Sequence, residues 1–258
     1  MRNAWISGWL SARALFHWLA PAAYLPSLVI SPALHVTFFG LVITYSGRDP
    51  MSGVTALILI NAAVAGLYGG LMVVSGDRWH GTLEPVVQTG MRAGTRLLGR
   101  LVPIIAYASA TSLILLIGAA LSQIVTFADA GRLLAVALLA TAGAASVSAL
   151  GLLVGTLGLL LRDAFVWGNV LILLLQATSG AFLPRQELPE PVRLATSVLP
   201  LGHSVEAAQA IVGSGVYDAL LSGIVAELAI AVVLGALSAL ISRRLEIVAM
   251  RTGRLGFT

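Results

Sequence analysis

The segment Asp77–Glu84, with the sequence DRWHGTLE, carries four ionisable side chains and lies between two long apolar runs. Two carboxylates, an arginine and a histidine at this spacing can form ion pairs, cap a helix or bind a charged surface of another protein. The segment holds no cysteine or serine that could act as a nucleophile. We therefore expect a charged turn and a short helix that contact a partner and catalyse nothing by themselves.

A second candidate for chemistry is the run Ala177-Thr178-Ser179-Gly180. A serine in a Gly-x-Ser-Gly setting would suit an intramembrane serine protease, but Ala177 replaces the first glycine, and the nearest later histidine, His203, lies in a predicted loop. No predicted span carries an aspartate pair, no His-Glu-x-x-His occurs, and the aspartate cluster of alcohol phosphatidyltransferases is missing. An intramembrane enzyme is therefore the less favoured alternative, because no nucleophile–base or metal constellation is present.

Two residue types are absent from the chain. There is no cysteine, which excludes disulfide scaffolds, thiol catalysis and cysteine metal sites. There is also no lysine, since all fifteen basic residues are arginine. A P-loop needs its lysine on the nucleotide phosphates, so ATP hydrolysis would have to come from a partner. We expect no cofactor and no metal in this chain.

The elements that must position these residues are apolar helices. The chain is 58% hydrophobic and only 10% charged, whereas soluble proteins are about 25% charged. A bilayer core needs roughly 20 helical residues, and the runs show no alternation of the kind found in barrel strands. The sequence predicts an all-α polytopic membrane protein with six spans. They are Leu25–Tyr45, Val54–Val74, Leu101–Leu121, Leu133–Leu161, Ala164–Leu183 and Ala219–Ile241. The fourth is long and glycine-rich, which indicates tilt or a break near Gly151–Gly158.

The arginines predict the orientation, because cytoplasmic loops carry an excess of basic residues. With the N-terminus inside, eleven arginines fall on the inner side and four on the outer side. The outer four are Arg48, Arg132, Arg185 and Arg193. Both termini are therefore expected in the cytoplasm. The frequent Arg, Ala, Gly and Leu suggest a GC-rich bacterial genome, and hence the cell (inner) membrane. The net charge of +4 follows from topology and does not indicate a nucleic-acid partner.

Three segments outside the spans have predicted roles. Residues 1–24 form an amphipathic helix at the membrane interface, with Trp5 and Trp9 at headgroup level. Residues 75–100 form the largest cytoplasmic loop, in which Thr82 is a candidate N-cap with Pro85 in the first turn. A second helix starts near Thr95. Residues 184–218 contain two pieces too short to span, Val192–Val198 and Val205–Val212. They are expected to dip into the outer leaflet as a re-entrant lid, and a structured loop between the spans is the alternative.

The order of these motifs resembles that of ABC-2 type transporter permeases. Asp77-Arg78-x-x-Gly81-Thr82-Leu83-Glu84 is similar to the coupling loop of that family, and Leu98-Gly99-Arg100 to the start of its third span. Ser179–Pro184, followed by Leu188-Pro189 and Leu199–His203, resembles its extracellular re-entrant region. Asp77 stands where the family more often has glutamate, and Thr89-Gly90 where it often has Thr/Ser-Pro.

The resemblance implies one transmembrane domain over residues 1–258. It comprises an elbow helix (1–24), spans one to five with the coupling loop (25–183), a re-entrant region (184–218), span six (219–242) and a cytoplasmic tail (243–258). Two permeases, identical or homologous, would sit on two cytoplasmic ABC ATPase subunits that bind ATP and Mg²⁺. The complex would export a drug, antibiotic, lipid or glycan and could confer antibiotic or multidrug resistance. The coupling residues would be Asp77, Arg78, Gly81, Thr82, Leu83 and Glu84.

Polar residues within spans are candidates for the substrate path, because they usually face protein or water. They are Asn61, Asn169, Gln176, Thr178 and Ser179. Hydrogen bonding between helices is the alternative explanation for each. Glu227 is the one acidic residue well inside a predicted span. We expect a structural role, in which it reaches the outer surface or pairs with a polar neighbour, with His35 and Asn61 as conceivable partners. Handling of a cationic substrate is the alternative.

An ion-coupled secondary transporter is the main competing class. It would need internal repeats and charged groups at the midplane. The first three and last three spans show no convincing similarity, and Glu227 alone could carry a proton. An adjacent gene for an ATPase with a P-loop would favour the ABC interpretation.

Overall fold

The computed structural model of the chain describes residues 29–47, 49–121, 127, 129–160, 163–180 and 189–252. The predicted interfacial helix over residues 1–24 lies outside the described residues. All regular secondary structure in the described residues is helical, which agrees with the predicted all-α class. In chain order the helices are α1 (Ser31–Tyr45), α2 (Pro50–Trp79), α3 (Leu83–Gln88), α4 (Ala93–Leu121), α5 (Ala130–Leu157), α6 (Ala164–Thr178), α7 (Glu190–Thr196), α8 (Gly202–Ser214) and α9 (Asp218–Thr252).

Four of these helices are long and apolar enough to cross a bilayer. They are α2, α4, α5 and the Asp218–Leu245 part of α9. Helices α1 and α6 are also apolar but have only 15 residues each, about 22 Å at 1.5 Å per residue. The described residues therefore contain four full-length candidate spans and two shorter apolar helices, where the sequence predicted six spans.

Aspartates fix where three of the helices begin. The Asp49 carboxylate accepts hydrogen bonds from the N–H groups of Met51 (3.2 Å) and Ser52 (3.0 Å) at the start of α2. Asp129 accepts from the Arg132 N–H at 2.9 Å at the start of α5, and Asp163 from the Phe165 N–H at 2.9 Å at the start of α6. Each cap satisfies N–H groups that have no partner within the helix.

Helices α2 and α5 form the centre of the fold. In their most apolar stretches 72% and 67% of residues are buried, against 17% in α9. They approach backbone to backbone: a Cβ added to Gly70 of α2 would lie 2.1 Å from the Ser148 carbonyl oxygen, and one added to Gly151 of α5 would lie 2.1 Å from the Leu67 carbonyl oxygen. Glycines of both helices therefore allow α5 to pack directly against α2. Helix α5 is unbroken through Gly151 and ends before Gly158.

The remaining helices surround this pair. Helices α1, α4 and α6 pack on α2, while α9 packs mainly on α5. Helix α9 presents large apolar side chains outward, with Leu221 at 72% and Val232 at 70% exposure. Exposed apolar surface of this extent marks a membrane or protein contact.

The two short pieces predicted between residues 184 and 218 are both helical. Helix α7 (Glu190–Thr196) is mostly exposed. Helix α8 has 13 residues, and it inserts Val205, Ala208 and Ile211, each 0% exposed, against α2, α5 and α9. It ends at Gly215, whose φ of 72° closes the helix in the left-handed region.

Candidate functional site

The charged segment begins as the last turn of α2. That helix continues past the predicted end at Val74 to Trp79, so Asp77 and Arg78 are helical. The Asp77 carboxylate forms an ion pair with Arg100 of α4, and the same guanidinium nitrogen of Arg100 donates to the Val73 carbonyl at 3.0 Å. Because Val73 and Asp77 are one turn apart, Arg100 binds α4 firmly to the end of α2.

Arg78 connects the same helix end to α5. Its Nη1 donates to the carbonyl oxygen of Gly158, the C-cap residue of α5, at 2.9 Å. A guanidinium at a helix C-terminus satisfies an unpaired carbonyl and lies at the negative end of the helix dipole. The ends of α2, α4 and α5 are thus joined by two adjacent residues of the predicted coupling motif.

A tight turn follows. Gly81 has φ of 65°, and the Thr82 N–H donates to the Asp77 carbonyl at 2.8 Å. Thr82 is the N-cap residue of α3 by position, as predicted, but its hydroxyl does not cap the helix. That hydroxyl lies 3.3 Å from both the carbonyl oxygen and Oδ1 of Asp77. It therefore fixes the turn to the end of α2.

Helix α3 protrudes from the bundle. Among its described side chains Val87 is the buried anchor, at 8% exposure, whereas Pro85 and Gln88 are exposed. At its end the Thr89 hydroxyl donates to the Val86 carbonyl at 2.7 Å, and Gly90 turns the chain with φ of 68°. A predicted second helix from about Thr95 is the start of α4, which begins at Ala93 and runs on without interruption to Leu121.

Trp79 adds an aromatic residue to this surface. Its side chain is 70% exposed, and its ring stacks on Phe165 of α6 with centroids 5.2 Å apart and planes 23° apart. The motif treats position 79 as variable and therefore assigns Trp79 no role. The signal that could have identified it is an aromatic residue directly beside a charged turn.

Asn61 makes a contact between helices. It is 8% exposed, and its Nδ2 lies 3.1 Å from Nδ1 of His35 on α1 and donates to the Leu57 carbonyl at 2.9 Å. Two residues proposed as conceivable partners of Glu227 thus bond to each other.

Asn169 occupies a more open position. Its side chain is exposed on α6, and its Oδ1 accepts a hydrogen bond from the Tyr68 hydroxyl of α2. Tyr68 belongs to a half-exposed stripe of α2. The stripe consists of Val64, Ala65, Tyr68 and Met72. Tyr68 is not among the residues predicted for the path, although it lies seven residues after Asn61 and therefore on the same helix face.

The other predicted path residues use their polar groups locally. The Thr178 hydroxyl donates to the Leu174 carbonyl at 2.7 Å, and the Ser179 hydroxyl to the Gln176 carbonyl at 3.3 Å. Ser179 is buried, while Gln176 and Thr178 are half-buried. The five predicted path residues therefore do not form one hydrogen-bonded cluster: Asn61 bonds towards α1, Asn169 bonds to Tyr68 of α2, and the hydroxyls bond within their own segment.

Glu227 is fully buried in α9. Its carboxylate accepts hydrogen bonds from Ser146 of α5 and from Leu201 and Ser204 at the start of α8, in place of His35 or Asn61. The sequence could identify the carboxylate but not these partners, because two of the donors are backbone N–H groups of a distant turn.

No curated protein and no solved structure matches the chain. A family model does match: that of the ABC-2 type transporter family covers residues 8–212, well over half of the chain. The members of this family are transport permeases of the membrane, are not themselves catalytic, and generally work with an ABC ATPase. With its long apolar helices the chain is a multi-pass membrane protein, and it belongs to the ABC-2 type transporter family.

Proposed function

We propose that this chain is the permease subunit of an ATP-binding cassette exporter that moves an amphiphilic substrate outward across a bacterial inner membrane. The substrate is a drug, antibiotic, lipid or glycan. Two permeases, identical or homologous, pair and sit on two ATPase subunits, which bind the ATP and Mg²⁺. Six membrane-crossing helices and two cytoplasmic termini complete the arrangement.

The observation that carries the proposal is the attachment of the segment Asp77–Glu84 to three helix ends. Asp77 pairs with Arg100 of α4, and Arg78 binds the Gly158 carbonyl at the end of α5. Helix α3 follows directly and protrudes. A push on α3 by an ATPase would therefore reach the ends of α2, α4 and α5 together, which is what a coupling element requires.

The exposed side chains of this region suit a protein contact. Trp79, Pro85 and Gln88 are exposed, whereas Val87 holds α3 on the bundle. Exposed tryptophan beside charged residues is typical of the anchors of protein interfaces. In this proposal Asp77, Arg78 and Thr82 shape the segment from within, while Trp79 and helix α3, which begins with Leu83-Glu84, contact the ATPase.

The half-exposed stripe of α2 supports a path along α2 and α6. A tyrosine hydroxyl and an asparagine amide at the surface of apolar helices are costly against lipid. Tyr68 and Asn169 satisfy each other only in part. The Tyr68 hydroxyl donates to Oδ1 of Asn169, and the amide nitrogen of that exposed side chain has no hydrogen-bond partner among the described residues. We propose that this stripe faces the second permease and the substrate path between them.

The environment of Glu227 argues against ion-coupled transport. A proton carrier must reach water in at least one state, yet Glu227 is 0% exposed and each of its oxygens accepts hydrogen bonds. Among the described residues no other carboxylate lies in the middle of a long helix. ATP hydrolysis by a partner is the energy source that this arrangement favours.

The test is to express the chain with the ABC ATPase that we expect to be encoded beside it. Arg78→Ala and Glu84→Ala are each expected to lower export and the amount of co-purified ATPase by about tenfold. The first releases the segment from the end of α5, and the second removes a charge that the proposal assigns to the ATPase contact. Arg193→Ala, an exposed arginine on α7, is the matched control and should change neither. Unchanged association and export in both coupling variants would refute the proposed coupling site.

A further inference from the structure

The carboxylate of Glu227 lies where three helices meet. Its Oε2 accepts from the Ser146 hydroxyl of α5 and from the Leu201 N–H at 3.0 Å. Its Oε1 accepts from the N–H of Ser204 at 3.2 Å and lies 3.4 Å from the Ser204 hydroxyl. Glu227, Ser146 and Ser204 are each 0% exposed. One side chain of α9 is therefore bonded to both α5 and the first turn of α8.

A buried carboxylate is expensive unless its oxygens are satisfied. The ion pairs found among the described residues lie elsewhere, at Asp77–Arg100 and Asp129–Arg132. Stabilisation of Glu227 comes instead from the positive end of the α8 dipole and from two backbone N–H groups that can only donate. A hydrophobic side chain would fill this space at lower cost, so the carboxylate indicates a requirement for this particular connection.

The start of α8 is shaped to meet Glu227. Leu201 has φ of 79°, and among the described residues no other non-glycine residue has a positive φ. This conformation is unfavourable for a leucine, yet it directs the Leu201 N–H to Oε2. Leu201 is the N-cap residue of α8 and its side chain makes no cap. Helix α8 therefore receives its N-terminal cap from α9.

We propose that Glu227 is a positioning residue that holds α8 packed against α5 and α9, and that these hydrogen bonds keep the outer end of the transport path closed. The placement of α8 at the exit rests on the proposed function. When α9 moves during the ATP cycle, the cap moves with it, and α8 follows or is released. Weakening the cap should therefore expose the buried face of α8 while the rest of the bundle stays packed.

The absence of cysteine allows a direct test on the full-length protein in membranes. Val205→Cys places a thiol on the buried face of α8, where Val205 is 0% exposed. Gly213→Cys places one on the exposed end of the same helix, where an added Cβ meets no atom within 4 Å. Leu116→Cys, at a position of 1% exposure in α4, reports on the rest of the bundle. The probe is a water-soluble maleimide.

Glu227→Gln should raise the labelling rate of Val205→Cys by about tenfold, while Leu116→Cys stays protected. The amide replaces one oxygen by an NH₂ group that faces an N–H donor, and the loss of a buried hydrogen bond to a charged group has an effect of this size. Gly213→Cys should label at the same rate with or without Glu227→Gln. The matched control is Ser238→Ala, because Ser238 is also 0% exposed on α9 but donates to its own helix, to the Leu234 carbonyl at 2.7 Å.

An unchanged labelling rate of Val205→Cys in Glu227→Gln would overturn the proposal. If Glu227→Gln also exposes Leu116→Cys, the whole bundle has opened. The less disruptive variant Ser146→Ala then tests whether α8 loosens separately from the bundle. That variant removes one hydroxyl donor, and it must raise labelling at Val205→Cys alone; equal increases at both positions would also overturn the proposal.

Transport gives the second readout. In the assembled complex Glu227→Gln should raise the amount of ATP hydrolysed per substrate exported, since the ATPase contacts are untouched and the exit no longer closes; an unchanged ratio would count against the proposal. The labelling needs neither ATPase nor substrate. Unchanged labelling would remove the proposed role of Glu227 and leave the exporter proposal intact. A wild-type complex that exports nothing would remove the exporter proposal and leave the contact between Glu227 and α8 intact.

Discussion

Asn61 and Tyr68 are polar residues on the same face of α2, and the structure gives them different surroundings. Asn61 is buried and bonds to His35 of α1, whereas Tyr68 is half-exposed and bonds to the exposed Asn169 of α6. Sequence alone predicts that both polar groups avoid lipid. It cannot decide between a helix contact and the path, because that depends on which neighbouring helix covers each position.

Asn61→Leu is expected to lower stability without changing export. Loss of a hydrogen bond between membrane helices costs about 0.6 kcal/mol on average and about 1.7 kcal/mol at most. Thermal unfolding of the purified protein in detergent measures this loss. Normal stability combined with lost export would show that Asn61 belongs to the path.

Tyr68→Phe is expected to change export while stability changes little. It keeps the ring and removes the hydroxyl that binds Asn169, so stability should change by no more than about 0.6 kcal/mol. Export should change its concentration dependence or its preference among amphiphiles. Transport rates over a panel of amphiphiles measure this, and identical profiles for Tyr68→Phe and wild type would count against a path along α2.

The contact of α2 with α5 depends on glycine. A methyl group at Gly70 would lie 2.1 Å from the Ser148 carbonyl oxygen, a distance that only backbone movement can relieve. Gly70→Ala should therefore destabilise the fold by about 1–3 kcal/mol or more. The matched control is Gly118→Ala in α4, where an added Cβ meets no atom within 4 Å. Unfolding temperatures in detergent compare the two, and equal values would contradict the close approach.

The bounds of the helices show what hydropathy can and cannot predict. It locates the cores of α2, α4, α5 and α9, because long apolar runs have few other stable forms in a membrane. It ends α2 at Val74, whereas the helix continues to Trp79. The extra turn is charged, and its stability comes from Arg100 and the Gly158 carbonyl, which are distant in sequence. Contacts of this kind leave no trace in local composition.

The whole molecule has a predicted orientation that the absence of cysteine makes easy to test. Gln88→Cys on α3 should react with an impermeant maleimide only from the cytoplasmic side, and Gly213→Cys on α8 only from the outside. Both positions are exposed. Labelling of intact cells and of inside-out vesicles distinguishes the two sides. Reaction of both positions from one side would refute the orientation that the arginines predict.

Cross-linking in native membranes measures whether α3 and the end of α2 lie against an ATPase that can exert force on them. Gln88→Cys, in cells that also express the ABC ATPase proposed as its partner, should cross-link to that subunit through a short bifunctional maleimide, with a yield that changes when ATP is added. Gly213→Cys should give no such product. A Gln88→Cys protein that never cross-links to the ATPase, although export is normal, would show that α3 is not the coupling element.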